Sequence, residues 1–263
     1  MTARIYLIIL SMTSFAVCSN AAYTKDPSSQ AISQQELQKG ISQTPIESPK
    51  QMLLLSRASN SHLADFAYQQ YIQILQNNPK NGYANLLAGM AAENDWDYKT
   101  NPTTGHLKPY APEARALFDK MKNFLSQAIR LQPTSPRANA EYGYFLWRYD
   151  NAMTQGFPYL QKAVQLAPKD SVAHALLGDA LSNPYAKVYD PLRAKSELQT
   201  AIALTPLYAY PHIQLVFLYL IQKNYKDAHT EMDTYLHLSP PDRPESKIVQ
   251  ILQQGINKGL GKN

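Results

Sequence analysis

Six histidines, one cysteine and a few clustered carboxylates are the residues of this 263-residue chain that could do chemistry. The histidines are His62, His106, His174, His212, His229 and His237. None belongs to an H-E-x-x-H motif, which would set two imidazoles on one helix face to hold zinc. Serine nucleophiles of the hydrolase type need a G-x-S-x-G elbow, and none occurs; a thiol mechanism would have to rest on Cys18 alone. The ten glycines form neither G-x-G-x-x-G nor G-x-x-x-x-G-K-[ST], so no loop is built to cradle phosphate. One stretch, Asn94 to Pro112, gathers possible cation ligands in Asp95, Asp97, Asn101 and His106. Their order matches no calcium or zinc spacing, and a solvated loop that folds back on the array explains them better. An enzyme or metal-dependent binder using the 94–112 loop stays open as an alternative. The expectation is a non-catalytic protein with no cofactor and no metal.

The chain around these residues is 44% hydrophobic and 17% charged, enough apolar surface for one large or two small cored domains. Its 25 Lys and Arg exceed its 20 Asp and Glu by a net charge of +5, too weak a field to mark a nucleic-acid partner.

Residues 1–22 have the layout of a secretory signal peptide: Arg4, an apolar run from Ile5 to Val17, then Ser19-Asn20-Ala21. Cleavage after Ala21 or Ala22 would deliver a periplasmic chain without cysteine. An outer-membrane lipoprotein acylated at Cys18 is the alternative, but Phe15 and Val17 depart from the bacterial lipobox, which wants an aliphatic residue and a small one there. Membrane attachment is expected only if Cys18 is lipidated. Residues 23–47, rich in Ser, Gln and Pro, are expected to form a flexible linker. Within it Ser33-Gln-Gln-Glu36 is a capping box and Gly40 a plausible helix stop, so a short, loosely held helix is possible there.

Beyond the linker one phrase recurs, an apolar helical stretch closed by proline. The prolines are Pro79, Pro133, Pro168, Pro206 and Pro240, separated by 54, 35, 38 and 34 residues. A small residue lies inside each leading helix, as in Asn85-x2-Ala88-Gly89-x2-Ala92, Asn139-x2-Tyr142-Gly143-x2-Leu146 and His174-x2-Leu177-Gly178-x2-Leu181; His212-x2-Leu215-Val216-x2-Tyr219 carries valine instead. The following helices read Ala67-x3-Tyr71, Met121-x3-Leu125, Gly156-x3-Leu160, Ala194-x3-Leu198 and Ala228-x3-Met232, each with its proline eight residues on. Small residues permit close helix approach, and proline sets the turn into the next pair.

Spacing and phrase together resemble the tetratricopeptide repeat (TPR), of an exported bacterial type, although the repeat's leading Trp is nowhere present. The resemblance implies an all-α superhelix, or solenoid, across 48–259. Its helix pairs are expected at 48–78, 81–132, 135–167, 170–205 and 208–239, with a capping helix at about Arg243–Asn257.

What the family implies for function is a binding platform for proteins or peptides, whose first helices line a concave face. The exposed positions of that face carry over to Tyr83, Leu86, Met90, Glu93 and Asn94; to Arg137, Ala140, Tyr144, Trp147 and Arg148; to Val172, Ala175, Asp179, Ser182 and Asn183; and to Tyr210, Ile213, Phe217, Leu220 and Ile221. Tyr144, Trp147, Tyr210 and Phe217 would anchor an apolar segment, with Arg137 or Arg148 as guides. Packing inside the array is the competing explanation, strongest for Phe217, Leu220 and Ile221. The Lys/Asn clamp by which some relatives hold an acidic C-terminus has no counterpart at Leu86/Met90, Ala140/Tyr144 or Ala175/Asp179. A scaffold of the cell envelope is therefore expected, with a lipid-anchored outer-membrane or pilus assembly factor as the alternative.

Overall fold

The computed structural model describes residues 31–60, 62–100, 107–108, 111–148, 153–239 and 247–261. The expected signal peptide, Cys18, and the loop residues Asn101 and His106 lie outside them. The described residues contain twelve α-helices and no strand, divided between two compact units, 31–168 and 169–261. The architecture is all-α, of the α-α superhelix class.

The first unit holds α1 (Gln34–Gln43), α2 (Pro49–Asn60), α3 (Ala64–Asn77), α4 (Gly82–Thr100), α5 (Pro112–Leu131), α6 (Pro136–Arg148) and α7 (Met153–Leu166). The second holds α8 (Ser171–Ser182), α9 (Pro191–Leu204), α10 (Ala209–Ile221), α11 (Tyr225–Leu238) and α12 (Lys247–Gly259). Five antiparallel pairs result (α2/α3, α4/α5, α6/α7, α8/α9 and α10/α11), in the register set by the prolines. Side-chain caps start several of them: Asp170 accepts from the Val172 amide at 2.8 Å, and Asp190 from that of Arg193 at 3.0 Å.

The helices of a pair meet where side chains are smallest. A Cβ placed on Gly143 would stand 2.9 Å from the Gly156 carbonyl oxygen, and one on Gly156 would stand 2.7 Å from the Trp147 amide nitrogen. The two backbones of α6 and α7 thus touch directly. In the second unit Gly178 admits Leu198, whose Cγ would lie 2.7 Å from an added Cβ. The core of the first unit runs continuously from Leu37 and Leu55 through Leu87 and Met121 to Phe145.

Four expectations are corrected. Part of the linker is a packed helix, α1, because its capping box closes properly and Leu37 and Ile41, one turn apart, are buried. Gly40 does not stop that helix; it is the point of contact with Leu54, and the helix ends at Gln43, ahead of Pro45. The 94–112 insertion is helical in its first part. Residues 94–100 continue α4, stabilised by the Asp95–Lys99 ion pair at 2.7 Å and free of proline until Pro102. The capping helix is α12, described from Lys247 and ending at Gly259 rather than Asn257. Between α8 and α9, residues 183–190 form two consecutive turns closed by the Ala186 and Tyr189 amides.

Candidate functional site

The residues expected on an inner face come from the first helix of each pair. On α4, Tyr83 is half-buried, while Leu86, Met90, Glu93 and Asn94 are buried. On α6, Tyr144 and Trp147 lie one turn apart with ring centroids at 5.7 Å, nearly parallel, and the Arg148 guanidinium sits 5.7 Å from the centre of the Tyr144 ring. Tyr144 is therefore flanked by an indole and a cation. Arg137 pairs with Glu141 at 2.7 Å on the same helix. The indole Nε1 of Trp147 is buried and meets no hydrogen-bond acceptor among the described residues.

In the second unit, the Tyr210 hydroxyl donates to the Asp179 carboxylate at 2.6 Å, joining α10 to α8. Val172, Ala175, Ser182, Asn183, Ile213 and Phe217 are buried, and Leu220 and Ile221 are half-buried.

This corrects the expectation that the set is exposed. Tyr144 keeps 1% of its surface, Trp147 6%, Asp179 6%, Tyr210 1% and Phe217 4%. Only Tyr83, Arg137, Arg148, Leu220 and Ile221 retain intermediate exposure. The cause lies in the helices themselves: α8 and α10 are apolar nearly all round, and such a helix has no side to turn to water. Burial also places Ala140 within the packing of α6.

A second set of polar residues leads the repeat phrase, and its contacts were not read from the sequence. The repeat position where Trp is missing holds a polar side chain in every pair. In the first unit Asn85 donates to the carbonyls of Pro79 (3.2 Å) and Asn81 (2.8 Å), and Asn139 to those of Pro133 (3.0 Å) and Ser135 (2.8 Å). Gln51, one pair earlier, donates to Ile41 and Thr44 and so ties the end of α1 to α2. In the second unit the position turns to histidine. His174 Nδ1 lies 2.6 Å from Glu197 Oε2, and His212 Nδ1 lies 2.6 Å from Glu231 Oε2. Both glutamates stand nine residues before their proline, where the first unit has Gln70, Phe124 and Tyr159. The signal that could have found them was this paired exchange of Asn with an aromatic for His with Glu.

Burial alone would raise the Glu197 carboxyl, but the hydrogen bond and charge of His174, then those of Arg193, outweigh it and hold it below the usual carboxylate range. The Asp95 carboxyl is shifted the other way, because its burial exceeds what Lys99 returns. Among the described residues no three His, Cys, Asp or Glu side chains are grouped to hold a metal ion, and no helix is long and apolar enough to cross a membrane.

These pairs, with small residues at each crossing and proline after each second helix, have the fold of the tetratricopeptide-repeat proteins. Two solved structures bear this out. PilW, described as a widely conserved type IV pilus biogenesis factor, is 19% identical over 81% of this chain and 85% of its own, with a TM-score of 0.57. TTC0263, a thermophilic TPR protein of Thermus thermophilus, is 15% identical over 87% of this chain and 99% of its own, with a TM-score of 0.55. No family model and no curated protein sequence matches the chain.

Proposed function

We propose that this chain is a non-catalytic scaffold of the cell envelope that holds a protein or peptide through the inner face of its first helices. The carrying observation is the half-buried Arg148, whose guanidinium lies against the ring of Tyr144 beside Trp147 on the first helix α6. Aromatic and arginine side chains in one desolvated spot are what binding hot spots are made of. Arg137 and Arg148, still partly exposed, are the groups an acidic or carboxylate-bearing segment would meet first. The signal-like layout of residues 1–22 supports the envelope location, and a mass measurement of the mature N-terminus tests it.

The binding test is a pull-down from envelope extract with the wild type, Tyr144→Ala/Trp147→Ala, and Arg148→Glu. The first variant removes the anchors; the second reverses a half-buried charge and spares the core. Loss of the same partners in both supports the inner face, provided both variants melt cooperatively. Identical partner lists in all three would sink it.

A further inference from the structure

Between α11 and α12 lies an open cleft of about 420 Å3, away from the residues considered so far. On the α12 side it is lined by Gln250, Gln253, Gln254 and Asn257, which fall at i, i+3, i+4 and i+7 and so form one stripe along the helix. The buried stripe of α12 is a different one, Val249, Leu252 and Ile256, which holds the helix in the second unit. The opposite wall is His229 and Asp233 of α11, paired at 2.9 Å, with the Asp233 side chain 64% exposed. Met232 and Ile256 make the floor, both almost fully buried. The size falls within the range of about 300–1,000 Å3 usual for ligand sites.

We infer that this cleft binds an extended segment of a partner protein, reading its main chain with the four carboxamides and one Lys or Arg side chain with Asp233. A carboxamide is neutral and offers both a carbonyl acceptor and amide donors, which complements the alternating N–H and C=O of an extended peptide. The stripe from Gln250 to Asn257 rises about 10 Å at about 1.5 Å per residue. That matches about three residues of extended chain at about 3.3 Å each. Charge fixes the remaining position. Among the described residues the cleft's only charged groups are Asp233 and whatever charge His229 carries, and the imidazole is already turned to that carboxylate, so a cation is the complementary visitor. A sugar would need a ring to stack on, and among the described residues no Phe, Tyr or Trp lines the cleft.

The site is distinct from the inner face proposed above, so the two fail separately. The test uses the full-length chain and a bead-displayed library of random octapeptides. The wild type is expected to enrich peptides with Lys or Arg at one fixed position. A resynthesised winner should bind at least tenfold more weakly to Asp233→Asn and to Gln253→Leu/Gln254→Leu, with unchanged affinity for Arg148→Glu. Methylating the winner's central backbone amides should weaken binding to a similar degree. Gln254 and Asp233 are exposed, and matching melting curves confirm that their variants stay folded. Failure to enrich any basic peptide, or a winner indifferent to both cleft variants or to backbone methylation, overturns the inference. So does cellotetraose moving the Gln and Asn side-chain amide resonances of α12 while the winning peptide leaves them in place.

Discussion

His174 and Glu197 meet at 2.6 Å across the pair α8/α9, and His212 and Glu231 repeat that contact one pair later at the same distance. The two contacts occupy matching repeat positions, so the second unit joins first helix to second with ionisable partners. The first unit does the equivalent work with amides bonded to the preceding turn and aromatic packing, such as Tyr142 edge-on to Tyr159 at 5.1 Å. Side chains of His174 and Glu197 are 9% and 15% exposed, so water competes little for either. A double-mutant cycle with His174→Ala and Glu197→Ala should therefore give a coupling of about 1–3 kcal/mol, within the span seen for contacting pairs. A coupling near zero, read from denaturant melts, would mean that the contact is incidental.

The same contact sets an acid limit. The Glu197 carboxyl titrates below its ordinary value of 4.5. A depressed folded-state value means the stabilisation is fully present above the ordinary value and disappears as pH falls through the folded one. Glu197→Gln should accordingly be less stable than wild type at pH 7 by about 1–3 kcal/mol. The gap should close as pH drops below 4.5. Chemical denaturation at several pH values measures it; a gap that stays constant down to about pH 3 contradicts the account.

Glycines separate packing from propensity. Gly143→Ala would drive a methyl into the backbone of α7, where nothing flexible can give way, and should cost about 2–4 kcal/mol, in the range of severe core overpacking. Gly255, in the middle of α12, has no atom within 4 Å of an added Cβ. Gly255→Ala should raise stability by about 0.5–1 kcal/mol through helix propensity alone. Thermal melts of the two variants should move in opposite directions.

Lys223 offers a turn-level check. Its φ of 57° lies in the left-handed region, at the end of α10, where the Asn224 amide bonds back to the Tyr219 carbonyl at 2.8 Å. Glycine adopts that conformation without steric cost, and Lys223 is exposed, so no contact is lost. Lys223→Gly should stabilise by about 0.5–1 kcal/mol, whereas the same change at a helical lysine such as Lys195 should destabilise. A lower melting temperature for Lys223→Gly would count against the turn geometry.

The pairs and their register were legible because proline and small residues act locally. Pro133 ends a helix whatever lies nearby, and Gly143 marks a crossing by the absence of a side chain. Residues 94–100 were harder. Asp95, Asp97 and Lys99 look like loop composition, and only the i,i+4 geometry of Asp95 and Lys99 makes them helical. The burial of Trp147 and Tyr210 was not legible: it depends on the neighbours they fold against, and a repeat pattern carries no such information. The histidine contacts were hidden for a related reason: His174 and Glu197 are 23 residues apart, and nothing local to either announces the other.

The position of α1 rests on a side chain whose role is likewise invisible in sequence. Gln51 is 1% exposed, and its Nε2 donates to the carbonyls of Ile41 at 3.1 Å and Thr44 at 2.9 Å, the last turn of α1 and its cap. Those carbonyls have no partner within their own helix, because the last turn of any α-helix leaves its acceptors unmet. Gln51→Ala would leave two acceptors at a buried helix end and remove the polar tie between α1 and α2. Leu37 and Ile41 would still hold the helix by their apolar contacts, so the loss should be local rather than global. Hydrogen exchange of the 34–43 amides should accelerate by at least tenfold, the equivalent of about 1.4 kcal/mol, while the amides of α6 and α7 keep their protection. If α1 exchanges as slowly as before, its apolar stripe alone fixes it; if all helices accelerate together, α1 and the core unfold as one.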